Sequence, residues 1–162
     1  MSQVGAGAAG ELVDVYLLRL PVGVYQRAAE HNDELLREFA LVRELQDEGG
    51  GLPARLLTLM EELRGRFGVF SAGPSTALAA AVAGGTPEID LHYRVPPVVK
   101  QAVIDLGALL DEADDYCRSG AELLTLTTPA DALAYRRWFL GEFEAQIDGR
   151  APTAWPPESP GG

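Results

Sequence analysis

Two histidines, an arginine pair and an acidic run hold most of the chemistry this chain could perform. His31 sits in the segment EHNDELLREF, where about 100° per residue places it inside the apolar stripe of Ala28, Leu35 and Phe39. Burial there would hold the imidazole neutral, and a neutral imidazole can ligate a metal, act as a base or accept a phosphoryl group. A satisfied core histidine is the first reading and a functional one the second. His92 alternates with Asp90 and Arg94 in EIDLHYRVP, the pattern of a half-buried strand with one wet face. No GxSxG elbow accompanies it, so the trio reads as a solvated ribbon face. No spacing joins His31 to His92 in a metal site, and neither a metal nor a cofactor is expected.

Arg136 and Arg137, in YRRWF, could bind an anion through bidentate contacts or pair internally with the acidic run DEADD, Asp111 to Asp115. The internal pairing is favoured, and the acidic run otherwise reads as a solvated helix face, since no calcium loop is present. Cys117, the only cysteine, lies among acids that raise its pKa, which makes it a poor nucleophile. Walker A, GxGxxG dinucleotide, HExxH and kinase motifs are missing, and GAGAAG at residues 5–10 precedes the first strand instead of following one.

These residues need elements to hold them. LVDVYLLRL over 12–20 predicts a strand, and Pro21 opens a helix over 22–46 that DEGGG ends. A helix over 53–67 and a short Ala-rich helix over 75–83 follow. The pattern then restarts with a strand over 89–95, a helix over 97–117 and a last helix from Thr128–Pro129 to 147. Strand, proline, long helix, proline and shorter helix therefore occur twice, at offsets of 75 and 76. RLPVGVYQRA is echoed by RVPPVVKQA, and LPARLLTLMEELRGRF by TPADALAYRRWFLGEF.

The expected fold is mainly α, a helical bundle from two tandem β-α-α repeats with a short two-stranded β element. One domain spans 12–147, with pseudo-repeats 12–70 and 88–147 linked by the helix 75–83, between disordered tails 1–11 and 148–162. Neither repeat could cover its own apolar face, so the two must pack together. The polar face of Asp90, His92 and Arg94 in the second strand matches the largely apolar face of Val13, Val15, Leu17 and Arg19 in the first. That face needs the Ala-rich helix as a cover; otherwise it is a partner or homodimer surface.

With 24 acidic against 13 basic residues, the net charge of −11 repels phosphate backbones and anionic membranes, so neither nucleic acid nor membrane is an expected partner. No apolar run is long enough to span a bilayer and no signal peptide opens the chain, so a cytoplasmic location is expected. The phrases LPVGVYQRAAEHNDELLREFALV, IDLHYRVP, LLDEADDYCRSGAELLTLTTP and YRRWFLGEF resemble an uncharacterised family of small acidic proteins from high-GC Gram-positive bacteria. Members of that family resemble companions of partner-switching systems, and the family supplies no catalytic residues to carry over. The resemblance implies a regulatory protein working beside an anti-sigma kinase, a PP2C-type phosphatase or an antagonist domain. The expected function is therefore a non-enzymatic regulatory or protein-interaction module in bacterial signalling. The alternative is a small-ligand sensor with a pocket between the repeats, lined by His31, Tyr93, Arg136 and Arg137.

Overall fold

The computed structural model describes residues 11–45, 51–120 and 126–156. Among them, five α-helices surround a two-stranded antiparallel sheet: β1 (Val13–Pro21), α1 (Val22–Leu45), α2 (Leu52–Phe67), a 3-10 turn (Gly68–Ser71), α3 (Ala72–Ala83), β2 (Glu88–Val95), α4 (Val99–Ser119) and α5 (Ala130–Ile147). No described helix is long and apolar enough to cross a membrane. The N-terminal tail to residue 10, the DEGGG cap up to residue 50 and the tail beyond residue 156 lie outside the described residues.

Proline and periodicity explain the element starts. Pro21 closes β1, since it cannot donate to a ladder, and Pro53 lies in the first turn of α2, where a missing N–H costs nothing. In α1 the buried residues Ala28, His31, Leu35 and Phe39 recur at three- and four-residue spacing on one face. Gly85 adopts a φ of 69°. There it turns the chain out of α3 while the N–H of Thr86 returns to the carbonyl of Ala81. A residue with a Cβ would be strained in that conformation.

The sheet register corrects the expectation for the first strand. Val13 opposes Val95, Val15 opposes Tyr93 and Leu17 opposes Leu91, but Leu20 opposes Ile89, so β1 spends one residue more than β2 between Leu17 and Leu20. This is a β-bulge, and Arg19 within it has a φ of 58°. Val15 pairs with Tyr93 and Leu17 with Leu91, and all four are buried. The apolar faces of both strands therefore point the same way. Val15 and Leu17 are fully buried and Val13 half-buried, which removes them as a partner surface. Their cover is α5, which packs on β1, while the Ala-rich α3 packs on β2.

The core has two adjoining parts. One gathers Leu17, Leu20, Leu91, Tyr135, Trp138 and Phe143 between the sheet and α5. The other gathers Leu35, Phe39, Leu56, Leu110 and Cys117 between α1, α2 and α4.

The C-terminal segment also departs from expectation, because residues 148–156 pack against the body. Trp155 donates its main-chain N–H to the Leu18 carbonyl at 3.0 Å. Its ring meets those of Trp138 and Tyr135 edge-on, at 5.5 and 6.3 Å between centroids. The Trp138 indole N–H donates to the Thr153 carbonyl at 2.8 Å, and the Thr153 N–H donates to Glu142. Upstream, the Gln146 side-chain amide both accepts from the Tyr16 N–H and donates to the Tyr16 carbonyl, each at 2.8 Å. A side chain thus supplies at the outer edge of β1 what a third strand would supply.

Candidate ligand-binding site

The fold sorts the singled-out polar residues into an inner and an outer group. Arg136, buried on α5, reaches across to α4, where Nη2 donates to Asp111 Oδ1 at 2.8 Å and to Asp114 Oδ2 at 3.0 Å. Its Nη1 donates to Thr128 Oγ1 at 3.3 Å. Thr128, just before α5, donates its hydroxyl to Asp114 Oδ1 at 2.6 Å and its main-chain N–H to the same oxygen at 3.0 Å. His31 Nε2, from α1, lies 3.3 Å from that hydroxyl oxygen. Since the hydroxyl proton goes to Asp114, the imidazole donates from Nε2.

One buried ion pair and one threonine therefore tie α1, α4 and α5 together. Asp114 is 7% exposed at its side chain against 56% for Asp111, so only the outer part of the acidic run is solvated. Burial alone would raise the Asp114 pKa, but the bonds from Thr128 and Arg136 outweigh it and leave the carboxyl below its ordinary 3.8. Burial lowers the His31 pKa from 6.5 against the pull of Asp114 and Glu34, so the ring is held neutral. Cys117 beneath this network has a thiol pushed upward by burial and by Asp114.

Beside the network lies a cavity of about 280 Å³. Tyr25 and Asn32 line it from α1, Tyr93 from β2, and Tyr135, Arg136 and Phe139 from α5. The rings form a connected set: Tyr25 meets Tyr135 at 6.5 Å, Tyr135 meets Phe139 at 5.8 Å, and Phe139 meets Tyr93 at 6.2 Å. Burial raises the Tyr93 phenol to about 12, with Tyr25 adding to the rise, and raises that of Tyr135, with Tyr93 and Tyr25 adding. Tyr93 and Tyr135 thus remain neutral at physiological pH. Tyr93 and Tyr135 both line the cavity, and Tyr93 also lines a neighbouring cleft.

Of the four residues expected to line a pocket, Tyr93 and Arg136 do so together. His31 stands behind the wall, joined to it through Thr128, and Arg137 is exposed in a separate cleft with Asp111 and Glu144. His92 is far from this chemistry, on the outer face of the sheet. There its ring stacks on Tyr16 at 4.4 Å, its Nε2 bonds Asp14 at 2.8 Å, and Arg94 approaches the same carboxylate at 3.3 Å. The partner of His92 is Asp14 across the ladder; Asp90 instead accepts the Arg19 N–H at 2.7 Å.

Tyr25, Asn32, Thr128 and Tyr135 are members of the site that residue types alone did not mark. Thr128 reads as a helix cap, but its side chain is spent on Asp114 and α5 starts uncapped. Tyr25 and Tyr135 read as core aromatics; their hydroxyls, which need partners when buried, were the available signal. No group of three His, Cys, Asp or Glu side chains among the described residues is placed to hold a metal ion. Comparison with family models, with curated proteins and with solved structures finds no match to this chain.

Proposed function

We propose that the chain is a non-enzymatic regulatory domain that senses a small ligand in the cavity between α1 and α5. The observation that carries this reading is a cavity of about 280 Å³ lined by Tyr25, Tyr93, Tyr135 and Phe139 beside the buried Arg136. The volume lies near the lower end for small-molecule sites, and an apolar wall with few polar groups is their usual chemistry. Residues from β2, α1, α3, α4 and α5 converge there, so an occupant would brace elements distant in sequence. The test is a thermal-shift screen of small metabolites: a ligand raises Tm with occupancy, and Tyr135→Phe weakens its binding several-fold while leaving the unliganded Tm nearly unchanged. A broad screen without a single saturable shift would sink the reading.

The expected tandem β-α-α duplication has support from geometry. The offset of 76 before the bulge maps the opposed pair Tyr16–His92 onto itself, as a local two-fold axis through that pair requires. The packing of α1 on α2 and on α5 is matched by that of α4 on α5 and on α2. A second cleft of about 340 Å³ shares Tyr93, Leu106, Phe139 and Leu140 with the first, and its Met60, Leu63 and Val103 stand at the offsets of Arg136, Phe139 and Ala28.

A second reading, a protein-interaction module of the kind the family resemblance implies, draws on the outer face of the sheet. Tyr16, His92, Asp14 and Arg94 form a preassembled aromatic and charged patch there. Capture of a partner-switching kinase, phosphatase or antagonist that Tyr16→Ala abolishes would favour it. Capture unaffected by that change would remove this face from consideration.

A further inference from the structure

If the cavity is a ligand site, as proposed above, its walls select the charge of what it holds. Arg136 is the charged residue in the cavity wall. Its guanidinium is already committed, with Nη2 to two carboxylates and Nη1 to Thr128. Asp111 and Asp114 stand behind the guanidinium and outside the lining, so the Asp111–Asp114–Arg136 cluster as a whole carries a net negative charge, and His31 beside it is neutral. An anionic ligand would find no free cation and would have to break this network, exposing a buried charge to loss of its partner.

The other walls are aromatic. Tyr25, Tyr93, Tyr135 and Phe139 line the cavity in a ring-to-ring chain, and aromatic faces attract cations while their hydroxyls accept hydrogen bonds from an ammonium. The second cleft serves as an internal contrast. Tyr93 and Phe139 line both clefts, but the offsets put Leu59 and Met60 where the first has Tyr135 and Arg136, so Tyr25 and Tyr135 are the phenols that distinguish the first. The net charge of −11 also concentrates small cations near the surface.

We infer that the cavity binds a compact organic cation, an alkylated or quaternary ammonium, seated among Tyr25, Tyr93, Tyr135 and Phe139 and balanced by the Asp111–Asp114–Arg136 cluster. A dry cavity of roughly 150 Å³ accommodates benzene. The volume here, about 280 Å³, has room for a trimethylammonium head and a short tail.

Three probes of matched shape and opposite charge decide the matter on the full-length chain: choline, its neutral carbon analogue 3,3-dimethylbutan-1-ol, and the anion 3,3-dimethylbutanoate. Binding is read by chemical-shift titration of tyrosine-ring and Asn32 side-chain resonances, with Tm as a second measure. The expected order is choline tightest, the alcohol at least about tenfold weaker, and the carboxylate without saturable binding. Tyr25→Phe should hold the choline affinity within about threefold, whereas Tyr25→Leu, at a half-buried position that tolerates the change, should lower it by about tenfold or more. If the alcohol or the carboxylate binds as well as choline, the cavity still binds ligands and the charge inference falls alone. If none of the three shifts these resonances at tens of millimolar, the cavity reading falls with it.

Discussion

Asp114 is the side chain on which the inner network depends, because it accepts three hydrogen bonds and holds Arg136 inside the protein. Asp114→Ala would strand a buried guanidinium with one half-exposed carboxylate, and a loss of about 3–5 kcal/mol in urea-denaturation stability is expected. His31 adds a pH dependence whose sign follows from burial. Its folded pKa lies below 6.5, so as pH falls below about 6.5 the unfolded chain takes up the proton first and stability declines. Asp114 acts in the same direction at lower pH: its depressed pKa contributes stability above 3.8 that disappears as pH falls through the folded value. His31→Gln is therefore expected to flatten the Tm profile between about pH 7 and 5 while leaving the steep loss below about pH 4. A wild-type profile already flat over the upper interval would show that His31 is not held neutral.

At the scale of elements, the bulge in β1 and the C-terminal strap decide how the sheet is finished. Arg19 occupies the left-handed region, which β-branched residues resist most. Arg19→Gly should leave stability within about 1 kcal/mol of the wild type, because relief of strain offsets the looser unfolded chain. Arg19→Val should cost about 1–3 kcal/mol. Equal effects of the two would mean the bulge residue is unstrained. The strap covers Trp138 and Tyr135 with Trp155 and bonds the free edge of β1 through the Leu18 carbonyl. Ending the chain after Gly149 is expected to lower Tm by several degrees, at about 2–4 °C per kcal/mol for a domain of this size, and to shift Trp138 emission to longer wavelength. An unchanged spectrum would mean the segment does not dock.

For the whole molecule, each half leaves an apolar sheet face and helix stripes that the other half covers, through the β1–β2 ladder and the packing of α1 on α5 and α2 on α4. A fragment of residues 11–71 should therefore be unfolded alone, and should regain helical circular dichroism when mixed with residues 72–156. Independent folding of either fragment would show that mutual burial is not what holds the halves. The cavity is a property of this level too, since Tyr25, Tyr93 and Tyr135 lie on three elements and meet only when the halves close.

Local chemistry made much of this legible in the linear chain. Prolines at 21 and 53 and the apolar spacing of Ala28, His31, Leu35 and Phe39 act within one or two turns, so the helices fall within a few residues of their expected bounds. The pairing of Arg136 with the acidic run was likewise readable from opposite charge on facing helices. What tertiary structure alone decided is where periodicity is interrupted or distant groups meet. One extra residue in β1 turns every later side chain to the other face, so Leu20 joins Val15 and Leu17 in the core where strict alternation would have buried Arg19. Trp155 docks because β1 offers it a free carbonyl and α5 an aromatic wall, and Thr128 abandons its helix for Asp114 because burial rewards the stronger acceptor. Those choices are made by contacts between residues far apart in sequence, which no spacing along the chain records.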